Sequence, residues 1–127
     1  LYHLDCCLFP VTPNSLLLCT AVVDPTELRA IERQCEIVDV PLAQARSGVT
    51  NCVLHEGEVL CDSDIHELAA DSPWYPGEKA KIATLERICA RHGLGLRIFC
   101  MSEFYKSGAL LSCLVMHVAR TRRGPGG

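Results

Sequence analysis

The chain has 127 residues, 49% of them hydrophobic and 21% charged, which is enough apolar material for one compact core and one domain. Its net charge of -3 excludes a broad basic field for a nucleic-acid backbone, since positive charge concentrates only in Arg120-Thr121-Arg122-Arg123. The longest apolar run, Leu16 to Val23 with Thr20 inside it, is far shorter than the roughly 20 residues of a bilayer-spanning helix. Neither nucleic acid nor membrane is therefore an expected partner. The nine cysteines are odd in number, follow no signal peptide and sit mostly in apolar runs, so reduced thiols of a cytoplasmic protein fit better than a disulfide scaffold. Cys19, Cys35, Cys52, Cys61, Cys89 and Cys100 are expected to act as small buried hydrophobes.

In chain order, Leu1 to Asp5 reads as the middle of a strand with nothing before it, as if the chain were truncated there. Leu16 to Cys19 reads as a strand. Asp24-Pro25-Thr26-Glu27 then supplies an N-cap, a proline in the first helical turn and an early acid. Leu28, Ile31 and Cys35 share one face of that helix, and Ile37 to Val40 follows as a strand. The same order returns: Asn51 to His55, a Glu56-Gly57 turn, Val59 to Cys61, a helix from about Gly77 to Arg91, and Leu96 to Phe99. Ile65 to Tyr75 is an insert. In the second helix Ile82, Leu85, Ile88 and Cys89 form the apolar stripe, with Gly93 as the stop. A last strand, Ser112 to Val118, is expected after the turn Lys106-Ser107-Gly108, and residues 120–127 have the composition of a disordered tail. Two units built on one plan predict an α/β (α+β) fold made of blades of a propeller, though two blades do not close a ring.

Guanidinium is one group whose chemistry calls for residue types that this chain supplies. Its carbon is a poor electrophile because resonance spreads the charge. Attack on it requires a strong nucleophile, a carboxylate to hold the cation and an acid to protonate the departing amine. Cys113, Asp5 and His3 supply those three types, and strand alternation would put His3 and Asp5 on one face. His117 shares the expected strand face of Cys113, but four residues of strand separate them by about 13 Å, so His3 is the better base. A zinc site is not expected: Cys-x-x-Cys spacing is absent, Cys6 and Cys7 are adjacent, and His55, His66 and His92 are scattered. No cofactor is expected either.

His3-Leu4-Asp5 before an apolar strand, Thr50-Asn51-Cys52-Val53, and Ser102-Glu103-Phe104 leading through Lys106-Ser107-Gly108 to Cys113-Leu114 occur in that order. In these motifs the chain resembles the guanidino-group-modifying superfamily, the amidinotransferase and arginine deiminase-like enzymes. Within it the chain is most similar to bacterial dimethylarginine dimethylaminohydrolase-like proteins. The resemblance covers nearly the whole chain to Val118 and corresponds to the C-terminal part of a longer member. It implies a partial five-bladed α/β propeller: about two strand-strand-helix-strand blades plus a C-terminal catalytic strand, in one domain over residues 1–119. It also implies Cys113 as the nucleophile that forms a covalent thiouronium, and His3 as acid for the leaving amine and then base for water. Asp5, Asn51, Ser107 and Gly108 would hold or line the substrate, and the family's further acidic residues would lie upstream of His3.

The implied activity is a metal-free hydrolase taking dimethylarginine to citrulline and dimethylamine, or acting on arginine. An amidinotransferase using the same cysteine and a non-catalytic propeller that binds a partner are the alternatives, with homo-oligomerisation open. Relatives commonly carry Gly-Gly where this chain has Gly108-Ala109, so a positive φ at Ala109 would bear a steric cost.

Overall fold

A computed structural model of the protein describes residues 3–116. Its first half contains β1 (Leu8–Thr12), β2 (Ser15–Leu18), α1 (Pro25–Glu32) and β3 (Glu36–Asp39). After the short α2 (Leu42–Arg46) the plan repeats in β4 (Cys52–His55), β5 (Glu58–Asp62), α3 (Tyr75–His92) and β6 (Gly95–Phe99). The short α4 (Ser102–Tyr105) and a 3-10 turn over Leu111–Leu114 follow. Each half is a three-stranded sheet, β1-β2-β3 and β4-β5-β6, in which a hairpin pairs antiparallel and a helical crossover returns the third strand parallel to the second. The expected repeat is therefore present as two identical topologies in a mixed α+β fold, with no closed ring among the described residues.

Local chemistry sets the boundaries. Asp24 Oδ1 accepts the Thr26 N–H at 2.8 Å, and Pro25, which lacks an N–H, occupies the first turn of α1 where none is needed. Glu56 and Gly57 both adopt positive φ, 48° and 83°. That two-residue loop matches the strand twist and fixes the β4–β5 register with His55 opposite Glu58. Pro10 is tolerated in β1 because β1 is an edge strand. Gly93 ends α3 in the left-handed region, φ 66°.

One core serves both halves. Phe9, Val11, Leu17 and Cys19 meet Cys52, Val59 and Cys61, and the α3 stripe Ile82, Leu85, Ile88 and Cys89 closes over them. Full burial of a leucine such as Leu17 or Leu85 contributes about 1.5–3 kcal/mol. Polar contacts also join the halves: His92 Nε2 lies 3.3 Å from Ser15 Oγ, and Arg91 pairs with Glu36. Lys81 is only 2% exposed. Its Nζ donates to the Ser47 carbonyl at 2.9 Å and pairs with Glu78 at 2.8 Å, while Ser63 Oγ donates to the same carboxylate at 2.5 Å. Beside Ser47, Gly48 (φ 85°) lies so near Leu110 that a Cβ would stand 2.7 Å from its Cδ1. The end of α2 thus abuts the residue that opens the Leu111–Leu114 turn.

Several expectations are corrected. His3 to Asp5 is not strand: a 3-10 turn spans Leu4–Cys6, with His3 at its N-terminal boundary and Cys7 at its end. The expected strand from Ser112 is a 3-10 turn through Leu114, after which Val115 is extended, so the described part of this segment is not a catalytic strand. His117, the rest of that strand and the 120–127 tail lie outside the described residues. The second helix begins at Tyr75, within the expected insert, and α2 and α4 are short elements that periodicity could not reveal. Cys19, Cys52, Cys61 and Cys89 are buried as expected, but Cys35 is half-buried and Cys100 is exposed. Burial pushes the Cys61 thiol up to about 12, as befits an inert core cysteine.

Candidate active site

Asp5 precedes the first strand of the first unit and Asn51 that of the second, and the Leu111–Leu114 turn brings Cys113 to both. A 3-10 turn rotates about 120° per residue, so neighbours point in different directions. Leu111 is buried, Ser112 half-buried and Cys113 exposed. The Cys113 N–H donates to the Leu110 carbonyl at 3.1 Å and closes the turn.

The four polar groups meet at one point. Asp5 Oδ2 accepts from Ser112 Oγ at 2.5 Å and from Asn51 Nδ2 at 3.2 Å, and lies 3.4 Å from Cys113 Sγ. Asn51 Nδ2 is also 3.4 Å from that sulfur, and Asn51 Oδ1 accepts the Ser112 N–H at 2.8 Å. The thiol therefore sits between an acceptor, which suits S–H, and a donor, which suits the thiolate. Among the described residues the one side-chain hydrogen bond to Asp5 Oδ1 comes from Cys6 Sγ at 3.9 Å, and the N–H of Asp5 itself also bonds its carboxylate. The hydrogen bond from Ser112 holds the Asp5 carboxyl below its ordinary value. Partial burial opposes this, while the Cys113 contact and the nearby His3 assist it. Asp5 is thus an anion at neutral pH, poised beside an exposed sulfur.

The expected residues divide in three. Cys113, Asp5 and Asn51 are brought together. Asn51, only 1% exposed, is not the locally bonded turn residue that asparagine usually is: its amide spans to residues 5, 112 and 113. His3 is exposed and close enough to influence Asp5, but its imidazole makes no hydrogen bond to Asp5 or Cys113. Ser107 and Gly108 lie in an exposed turn, where their N–H groups donate to the Phe104 and Tyr105 carbonyls, and they make no hydrogen bond to the other three. The positive φ needed there, 78°, falls on Gly108 and not on Ala109, so the alanine carries no such cost. Ser112 went unread in the sequence. Its signal is that of the lone hydroxyl in the apolar run Ala109 to Met116, next to Cys113.

A cavity of about 510 Å³ opens between α2, α3 and Leu110, with Asp62, Glu78 and Lys81 on its walls, but neither Asp5 nor Cys113 lines it. Burial raises the Asp62 carboxyl, whose Oδ1 accepts the Met101 N–H at 2.8 Å. Among the described residues no group of three or more His, Cys, Asp or Glu could hold a metal ion, and no helix is long and apolar enough to cross a membrane.

The fold matches solved structures. Apo ArgZ, an arginine dihydrolase from the ornithine-ammonia cycle in cyanobacteria, superposes with a TM-score of 0.64 at 23% identity, over 88% of this chain and 15% of that one. The product-bound N-terminal domain of ArgZ gives 0.69 at 24% identity, over 93% of this chain and 38% of the domain. AgrE in a ternary complex with ornithine and NAD+ gives 0.70 at 24% identity, over 98% of this chain and 16% of that protein. The chain spans well under half the length of any of these, and at such identity the match shows a shared fold. No family model and no curated protein matches the sequence.

Proposed function

We propose that this chain carries the nucleophile side of a hydrolase that cleaves a C–N bond of a guanidino compound, with Cys113 as nucleophile, Asp5 as a guanidinium-holding carboxylate and His3 as acid and base. The observation that carries this reading is the 3.4 Å contact between an ionised Asp5 and an exposed cysteine sulfur. A cation drawn to Asp5 brings its central carbon to the nucleophile, which supplies the proximity such an unreactive carbon needs. The buried thiols of this chain have no such neighbour.

In the proposed reaction the Cys113 thiolate attacks the guanidinium carbon and a C–S bond forms. Collapse then breaks one C–N bond, and the amine leaves with a proton from His3. Water, losing a proton to His3, adds to the resulting thiouronium carbon. The C–S bond breaks to give a ureido product, citrulline from arginine, and the free thiolate. The shared fold of the ArgZ and AgrE structures supports this class of chemistry, and the arginine dihydrolase activity named for ArgZ favours arginine over dimethylarginine as substrate.

The full encoded chain, incubated with arginine or asymmetric dimethylarginine, is expected to release citrulline with ammonia or dimethylamine, faster from arginine. Formation of a new guanidino compound from an added amine would instead indicate the amidinotransferase. Absence of turnover on every guanidino substrate would favour a binding module.

A further inference from the structure

We infer that Ser112 and Asn51 are positioning residues that anchor one oxygen of the Asp5 carboxylate, Oδ2, and thereby present the other, Oδ1, to the guanidinium group. The inference rests on the reading above that Asp5 takes the substrate cation.

Three donors converge on Oδ2: Ser112 Oγ at 2.5 Å, Asn51 Nδ2 at 3.2 Å and Cys113 Sγ at 3.4 Å. A carboxylate oxygen has about two lone-pair sites, so Oδ2 is fully occupied. Among the described residues the one side-chain donor to Oδ1 is the weakly donating Cys6 thiol at 3.9 Å. A guanidinium arriving at Asp5 therefore meets one oxygen that no side chain among the described residues holds closely, and makes a single-point contact there, not the paired fork that an unbraced carboxylate allows. That contact leaves the remaining guanidinium N–H groups for other acidic partners.

The brace is also rigid. The Asn51 amide is buried, and the same residue that donates to Asp5 and Cys113 accepts the Ser112 N–H at 2.8 Å, so carboxylate and nucleophile turn cannot rotate independently. The Ser112 hydrogen bond to Oδ2 is the largest influence on the carboxyl and favours its ionised form, with the Cys113 contact acting in the same direction.

The test compares Ser112→Ala and Ser112→Thr with the parent in the full encoded chain. Each is titrated by carbon NMR of the Asp5 carboxyl and assayed with arginine. In Ser112→Ala the Asp5 midpoint should move up, and KM should rise about tenfold or more, the scale of a lost charge-assisted hydrogen bond, while kcat falls by less. Ser112→Thr, which keeps the hydroxyl, should restore both. An Asp5 midpoint that does not move in Ser112→Ala, or a shift that threonine fails to reverse, would overturn the brace. If the parent turns over no guanidino substrate, the NMR arm still decides the brace, and the hydrolase reading fails by itself.

Discussion

Replacing Cys113 by serine should lower guanidine hydrolysis by at least about 10³-fold while the protein keeps its melting temperature within about a degree or two. The first expectation follows from the nucleophile. A hydroxyl ionises far less readily than a thiol, so on the proposed mechanism deleting the sulfur removes the covalent route and leaves only the binding contributions of Asp5 and its neighbours. The second follows from exposure. Cys113 is on the surface of a turn, and serine can keep hydrogen bonds to Asp5 and Asn51, so the change lies in the range of about ±0.5 kcal/mol typical of surface sites. Cys100 provides the matched control. It too is an exposed thiol beside a carboxylate, with Sγ 3.1 Å from Asp64 Oδ1, yet it lies outside the Asp5 cluster, and Cys100→Ser should leave activity unchanged. Steady-state assays and thermal melts of the two variants check both statements.

The largest stability loss should come from Lys81→Met, about 3–5 kcal/mol in urea denaturation. Methionine fills the aliphatic volume but removes the cation paired with Glu78 and the donor to the Ser47 carbonyl, leaving a carboxylate of low exposure without that counter-charge. The matched double variant, Lys81→Met with Glu78→Gln, should recover most of the loss, because an uncharged amide tolerates burial and can still accept from Ser63. A near-zero effect of the single variant would mean that the pair is solvated in solution. The loss should also reach the site. Ser47 precedes Gly48, which packs on Leu110 at the start of the Cys113 turn, so partial loosening of α2 should cost activity before global unfolding.

The two repeats were readable because each carries strong local signals: Asp24-Pro25 opening one helix, Gly93 closing the other, Glu56-Gly57 fixing a hairpin, and an apolar stripe on α3 that the core buries. Cys113 and Asp5 were legible as chemical types in a known order of motifs. What escaped was conformation at the ends of the described chain. His3 to Asp5 and Ser112 to Leu114 have strand-like composition, yet a 3-10 turn begins at Leu4 in the first and another runs through the second. Neither pairs with either sheet, and a short turn lets Asp5 and Ser112 aim inward without a ladder. Alternation, which assumes a strand, therefore assigned faces that do not exist there. Asn51 was legible as a lining residue, but its partners were not, because local sequence says nothing of groups 46 and 62 residues away. Long-range convergence is a property of the topology, which brings the starts of two first strands to the same turn.

The central claim is that Cys113 forms a covalent bond to a guanidinium carbon. Rapid acid quenching of the full encoded chain during turnover of arginine, followed by proteolysis and mass spectrometry, tests it most directly. The account predicts a transient adduct on the peptide containing Cys113, with the mass of arginine less one ammonia, absent from Cys113→Ser. Turnover with no adduct at any time, or an adduct on another cysteine, would contradict it.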